Sequence, residues 1–374
     1  MTIRKLPKQT KSPRKVTGAK RITKRTKKKT GKKKQASILG LKRAKENPII
    51  SPKSENNWEA WQVFNPSAIL LNNKVHFLYR AIGEDGISRL GYAASKDGFT
   101  IGERLSCPVY EHKLTRPVFN YYSFASGGSF GGAEDPRIVR VNEEDALYLT
   151  YTACNEGLGV ALTSIKVDDF LNRRWKWKPP QLISRPGEVH KNWVIFPEKI
   201  QGKYAILHSI CPEISIAYHD SLDFPQGEYI ESYYNGNARR KKCWDNWLRG
   251  AGAPPIKTRL GWLLFYQAMD ENDPGKYKVG AMILGAKDPT EILYRAPESV
   301  LEPERDYENN GFKAGVVYVT GAVVNNGELL VYYGASDSYV AVAHADLEEF
   351  LGTLTKEAKP KLKAKTLRKK QYDY

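Results

Sequence analysis

Three features of this 374-residue chain predict an all-β fold, a five-bladed β-propeller spanning residues 46–355 between disordered basic tails. A pattern of short apolar strand, tight polar turn and aromatic-rich strand recurs five times. The copies are keyed by Pro66, Pro136, Pro197, Pro255 and Gly321. That is a period of about 60 residues, which suits one four-stranded sheet per repeat. Helical periodicity is scarce, which argues against alternating βαβ units. A two-sheet sandwich is the competing arrangement, and fivefold recurrence favours the propeller.

The first copy is Asn65-Pro-Ser-Ala-Ile-Leu-Leu, a turn at Asn72-Asn73, and the strand Val75–Arg80. The second is Asp135-Pro-Arg-Ile-Val, a turn near Glu143–Asp145, and Leu147–Tyr151. The third is Phe196-Pro-Glu-Lys-Ile, a turn at Gln201-Gly202, and Tyr204–His208. Pro254-Pro-Ile-Lys-Thr, Leu260-Gly261 and Trp262–Tyr266 make the fourth, and Gly321-Ala-Val-Val, Asn325–Gly327 and Leu329–Tyr333 the fifth. A further strand and an Asp-bearing turn follow each copy, as in Leu90-Gly-Tyr-Ala-Ala with Asp97-Gly98. Three strands per repeat are visible, with room for a fourth.

Charge is concentrated at the ends. Residues 1–45 carry 19 Lys and Arg and no Asp or Glu, and residues 356–374 are again Lys-rich. Between them acidic residues outnumber basic ones. The tails have little to bury and are expected to be disordered. They would attract a polyanion such as nucleic acid or an anionic surface, or act only as solubilising extensions. Four Cys with no Cys-x-x-Cys pair suit a reducing, cytoplasmic setting. No apolar run is long enough to span a bilayer, and the N-terminus lacks the apolar core of a secretory signal.

Residues 127–138 read Gly-Gly-Ser-Phe-Gly-Gly-Ala-Glu-Asp-Pro-Arg-Ile. Glycines give the backbone freedom, and Pro136 biases Asp135 toward an extended conformation at the mouth of a strand. Alone, this is also how an Asx turn before a strand reads. In a propeller, however, the starts of the innermost strands converge on one central pocket. Asn65, Asp135, Phe196-Pro197, Pro254 and Gly321 would then meet there, with Asp135 as general acid. Asn65, Ser67, Arg80, Arg89, Arg137, Lys191, Asn192, Glu308 and Asp337 are the polar candidates for a saccharide pocket. Trp244 and Trp247 either flank a sugar or anchor a loop. The six His show no metal-ligand spacing, His208 reads as a core histidine, and no nucleotide or nucleophile-elbow fingerprint is present, so no metal or cofactor is expected.

Glu134-Asp135-Pro136-Arg137 resembles the signature of glycoside hydrolase family 130, the β-mannoside phosphorylases and β-mannosidases. Asn65-Pro-Ser, Tyr79-Arg80-Ala81, Phe196-Pro197, Pro254-Pro-Ile-Lys-Thr with Gly261-Trp262, Tyr307-Glu308 with Gly311, and Tyr333-Gly-Ala-Ser-Asp337 resemble other segments of that family, in its order. The resemblance implies a five-bladed propeller. It implies that Asp135 protonates the glycosidic oxygen through the mannose 3-hydroxyl, with inversion at C1. Asn65, Ser67, Arg80, Glu308 and Asp337 then match positions that hold the mannosyl unit.

The four positions matching the phosphate ligands of the family's phosphorylases hold Lys191, Ser209, Gln267 and Tyr277. Ser209 and Gln267 lack a charge or a donor that a bound dianion would use. The expectation is therefore an inverting β-mannosidase, with Glu213, and secondarily Glu188, as the base that activates water. A phosphorylase using inorganic phosphate as co-substrate is the alternative, and a non-catalytic sugar-binding propeller is a third reading. The partner is a β-mannoside oligosaccharide, and an oligomer is allowed.

Overall fold

The computed structural model describes residues 39–115, 120–155, 157–232 and 243–357. They form an all-β fold with few, short helices. The chain enters through β1 (Lys42–Arg43). An antiparallel meander follows: β2 (Gln62–Leu71), β3 (Lys74–Ile82), β4 (Ile87–Ser95) and β5 (Ile101–Arg104). After helix α1 (Tyr121–Ala125) comes a second: β6 (Gly131–Arg140), β7 (Ala146–Cys154), β8 (Leu158–Lys166), helix α2 (Val167–Leu171) and β9 (Gln181–Leu182). A third has β10 (Val194–Ile195), β11 (Tyr204–Ser209) and β12 (Ser215–His219).

In the fourth, β13 (Trp247–Ala251) and β14 (Ile256–Thr258) both pair with β15 (Gly261–Asp270), which pairs with β16 (Asp273–Leu284) and through it with β17 (Ile292–Arg295). Helix α3 (Asp306–Asn309) precedes the fifth, β18 (Val317–Asn325), β19 (Glu328–Ala335) and β20 (Tyr339–Asp346), which ends in helix α4 (Leu347–Glu357). A short parallel pairing, Ile87 with Gly131 and Ser88 with Gly132, joins the first two meanders into one eight-stranded sheet.

Turn chemistry explains the hairpins. Asn72-Asn73, Gln201-Gly202 and Asn326-Gly327 all have positive φ, at 48° and 56°, 53° and 82°, and 50° and 83°. Two-residue turns of this hand match the twist of the flanking strands, and Asn and Gly tolerate them best. Five apolar clusters lie between meanders. Tyr92 and Leu78 pack with Leu149 and Tyr151, Val160 and Leu162 with Ile195 and Ile206, and Phe196 and Leu207 with Leu264 and Met282. Phe265 and Ile283 pack with Val317 and Val331, and Tyr332 and Val342 return to Phe77 and Tyr79 of the first meander. On α4, Phe350, Leu351 and Leu354 share one buried face, the spacing of an amphipathic helix.

Residues 39–45 depart from expectation. They belong to the fold rather than to a disordered tail. Leu39 and Leu41 are buried in the core, and β1 pairs antiparallel with β20 to complete the fifth meander. The two leucines supply apolar area that the lysines around them hide from a compositional reading. The remaining tail residues, 1–38 and 358–374, lie outside the described residues. Among the described residues no helix is long and apolar enough to cross a membrane.

Candidate active site

The first strand of four meanders carries a β-bulge. The register shifts between Phe64 and Ser67 in β2, Glu134 and Arg137 in β6, Leu248 and Gly250 in β13, and Val319 and Gly321 in β18. Pro66 and Pro136 have no N–H for the ladder, so pairing breaks there and the preceding residue is turned out of the strand. Asn65 (φ 46°) and Asp135 (φ 50°) are those residues, both in the left-handed region. Asp and Asn tolerate that conformation better than other residues with a Cβ.

Asp135 is the centre of a buried polar network. Its Oδ1 accepts from Asn65 Nδ2 at 2.7 Å and from Arg80 Nη1 at 3.3 Å. Arg137 braces it from behind, donating to the Asp135 carbonyl (2.7 Å), the Gly252 carbonyl (2.8 Å) and Asn192 Oδ1 (2.8 Å). Burial opposes ionisation of Asp135, but Arg80, Lys191 and Arg137, with the Asn65 hydrogen bond, outweigh it and hold the carboxyl below the ordinary carboxylate range. Arg80 is fully buried and also reaches Glu134 Oε1 (2.9 Å), Ser88 Oγ (3.0 Å) and Ser129 Oγ (3.1 Å). Glu134 is an anchor, held further by Ser123 (2.6 Å) and Ser126 (2.8 Å). Lys191 bonds Ser126 and stands 3.8 Å from Glu134.

Asp337 is buried and has positive φ. Burial pushes its carboxyl up to about 6; Lys313, Arg80 and Lys191 pull the other way, and the Asp135 charge adds to the rise. Two carboxylates are thus set apart by their surroundings, one held ionised and one near neutrality.

Other expected site residues have different duties. Ser67 Oγ accepts from the Ile138 N–H at 2.6 Å and ties β2 to β6. Asn192 Oδ1 accepts from Arg137 and from the Tyr318 hydroxyl (2.8 Å). The Glu308 carboxylate is held by protein donors. Arg43 takes it at 2.7 and 3.0 Å, the Tyr333 hydroxyl at 2.7 Å, and the N–H groups of Glu304 and Arg305 at 2.7 and 2.9 Å. Arg89 pairs with the exposed Asp85 and Glu111. Glu213 is exposed between β11 and β12, with no hydrogen bond or ion pair to the Asp135 network among the described residues. Glu188 is engaged by His190 Nε2 at 2.7 Å.

Neither Phe196 nor Pro254 stands at a bulge of its repeat. Phe196 is a core residue against Trp262, and the bulge of the fourth falls at Arg249-Gly250 rather than at Pro254. Trp244 stacks on Tyr266, which is the loop-anchor alternative.

A cavity is lined by Lys191, Asn192, His208, Ser209, Arg249 and Gly250, among others. Burial, then His190, lowers the His208 pKa to about 4, so this ring is neutral at pH 7. Ser209 Oγ donates to the Cys211 carbonyl at 2.9 Å, and Gln267 is fully buried with its amide on the Val319 carbonyl. Charge comes from positions other than Ser209 and Gln267: Lys191 and Arg249 line the cavity, and the Arg249 guanidinium lies 5.7 Å and the Lys313 ammonium 4.9 Å from the centre of the Tyr277 ring. Neither was a candidate from sequence. The signal for Arg249 is a cation beside the Gly that lets β13 bulge. Lys313 has no local signal.

With this geometry in view, comparison with known proteins is specific. The model of glycoside hydrolase family 130, described as beta-1,4-mannooligosaccharide phosphorylase, matches residues 33–356, and the chain belongs to that family. A 1,2-beta-oligomannan phosphorylase of Thermoanaerobacter sp. (strain X514) is 34% identical over 328 residues, covering 83% of this chain and 99% of the relative. A beta-1,2-mannobiose phosphorylase of the same organism is 32% identical over 325 residues, covering 83% and 99%. Among solved structures, the beta-1,2-mannobiose phosphorylase of Listeria innocua in complex with β-1,2-mannobiose superposes with a TM-score of 0.65 at 25% identity, covering 85% of this chain and 99% of that one.

Proposed function

We propose that this protein is a β-mannoside phosphorylase. Asp135, ionised before phosphate binds, takes up a proton as the phosphate dianion settles beside Lys191 and offsets that charge, and it donates this proton to the departing glycosidic oxygen. Inorganic phosphate attacks C1 from the opposite face, so a β-linked mannosyl unit leaves as α-mannose 1-phosphate. The scaffold we propose is a five-bladed propeller; the five apolar clusters, each between successive meanders and the last returning to the first, support that arrangement.

The observation that carries the reading is the pair of cations, Lys191 and Arg249, on one cavity, with Lys191 also acting on the Asp135 carboxylate. A phosphate dianion requires charge-assisted donors, and these supply the charge that Ser209 and Gln267 do not. The named activities of the relatives support phosphorolysis too. Hydrolysis has weaker support, because Glu188 is engaged by His190 and Glu213 stands apart from the network.

The test is incubation with β-1,2- and β-1,4-mannobiose, with and without phosphate, following mannose 1-phosphate and free mannose. The expected result is mannose 1-phosphate made only with phosphate. Free mannose released at the same rate in both arms would overturn the proposal in favour of hydrolysis.

A further inference from the structure

Phe312 and Phe124 are large apolar side chains that stay in water, 50% and 40% exposed. They come from distant parts of the chain and meet edge to face, with ring centres 6.0 Å apart. Both are fastened to the Asp135–Asp337 region. The Phe312 N–H donates to Ser338 Oγ at 2.8 Å, one residue past Asp337. Its ring lies so close to Gly128 that a Cβ there would come within 2.7 Å of it. Gln62 Nε2 bridges the Gly127 carbonyl (2.9 Å) and the Asp337 carbonyl (2.7 Å) beneath the pair. Phe124, on α1, stands two residues before Ser126, which bonds Lys191 and Glu134. Trp61, immediately before Gln62, is 50% exposed as well.

Exposed aromatic surface is costly unless something covers it, and such surface beside a polar pocket marks a ligand groove. A sugar ring is the fitting cover. Its C–H face packs on an aromatic ring while its hydroxyls stay in water. We infer that Phe312, with Phe124 edge-on to it, forms a platform for mannosyl units beyond the one held at Asp135, and that it sets a preference for longer oligomannosides. This rests on the reading of the neighbouring pocket as a β-mannoside site.

The experiment is titration calorimetry without phosphate, in an Asp135→Asn background so that no bond is cleaved whichever nucleophile the enzyme uses. Mannose, β-mannobiose and β-mannotriose are compared on that background alone and with Phe312→Ala, Phe312→Tyr or Phe124→Ala/Phe312→Ala. Affinity is expected to rise about fivefold or more from mannose to mannotriose. Phe312→Ala should abolish most of that rise, leave mannose binding within about twofold, and be rescued by Phe312→Tyr. Mannose binding with no gain in affinity with length, or a gain that survives both Ala variants, overturns the platform and leaves the function standing. Absence of binding by any mannoside overturns the function and the platform with it.

Discussion

Asn65 donates from Nδ2 to Asp135 Oδ1 at 2.7 Å, and the two residues hold the same place in successive repeats. Each is the residue turned out by a bulge, each precedes a proline, and each has positive φ. One local device used twice aims both side chains at one point. Replacing Asn65 separates its two tasks. Asn65→Gly and Asn65→Ala both lose the donor and should slow turnover alike. Only Ala bears the left-handed strain, so urea unfolding should find it less stable than the Gly variant by about 1 kcal/mol. Equal stabilities would mean that the backbone relaxes at the bulge.

Asp135→Asn keeps the shape of the side chain and an acceptor for Arg80 but has no proton to give. Turnover should fall by roughly 10²–10⁴-fold on mannobiose in the phosphorolytic direction, while circular dichroism stays that of the parent. Turnover close to the parent's would remove Asp135 from the chemistry.

Arg80 is fully buried and joins two carboxylates with three strands and the α1 loop. Arg80→Met leaves Glu134 and Asp135 close together without their counter-charge, and stability should fall by about 3–5 kcal/mol. Arg80→Lys retains the charge but not the planar fork that reaches Ser88, Ser129, Glu134, Asp135 and the Ser126 carbonyl, so it should restore only part of the loss. Denaturant midpoints of the three proteins give the order: parent, Lys, then Met.

The sequence exposes what is local. Alternating apolar residues and Asn or Gly turns mark the hairpins, and Asn-Pro and Asp-Pro mark the bulges that hold Asn65 and Asp135. Partnership across the chain is not local. β1 hides in a Lys-rich stretch, where only Leu39 and Leu41 betray it. Glu308 reads as a pocket carboxylate because its partner Arg43 lies 265 residues away. Arg249 escapes notice because the double proline of the fourth repeat is a louder signal than the Arg-Gly before it, and the strand bulges at the quieter one.

That hidden partnership has its own consequence. Arg43 gives β1 a charged clasp onto Glu308, and Glu308 has no exposure of its own. Arg43→Met keeps the aliphatic stem but leaves a buried carboxylate without its cation. A loss of about 3 kcal/mol is expected, seen as a lower urea midpoint, with phosphorolytic KM values little changed. A large rise in the mannoside KM instead would return Glu308 to the sugar site.

Asp337 carries the pH prediction. Its carboxyl is raised from 3.8 to about 6 in the folded protein, chiefly by burial. The folded state therefore keeps a proton that the unfolded chain releases between about pH 4 and 6. Its contribution to stability is fully present below about pH 4 and is lost as pH rises through 6. Asp337→Asn cannot ionise and escapes this loss. The stability of the variant relative to the parent should climb between pH 4 and 6 and level off above, by up to about 3 kcal/mol, and under the proposal that Asp337 holds the mannosyl unit, mannoside turnover falls. Urea denaturation of both proteins from pH 4 to pH 8 reads the difference directly. Parallel curves across that range would mean that Asp337 titrates like an ordinary surface carboxylate and that burial does not perturb it.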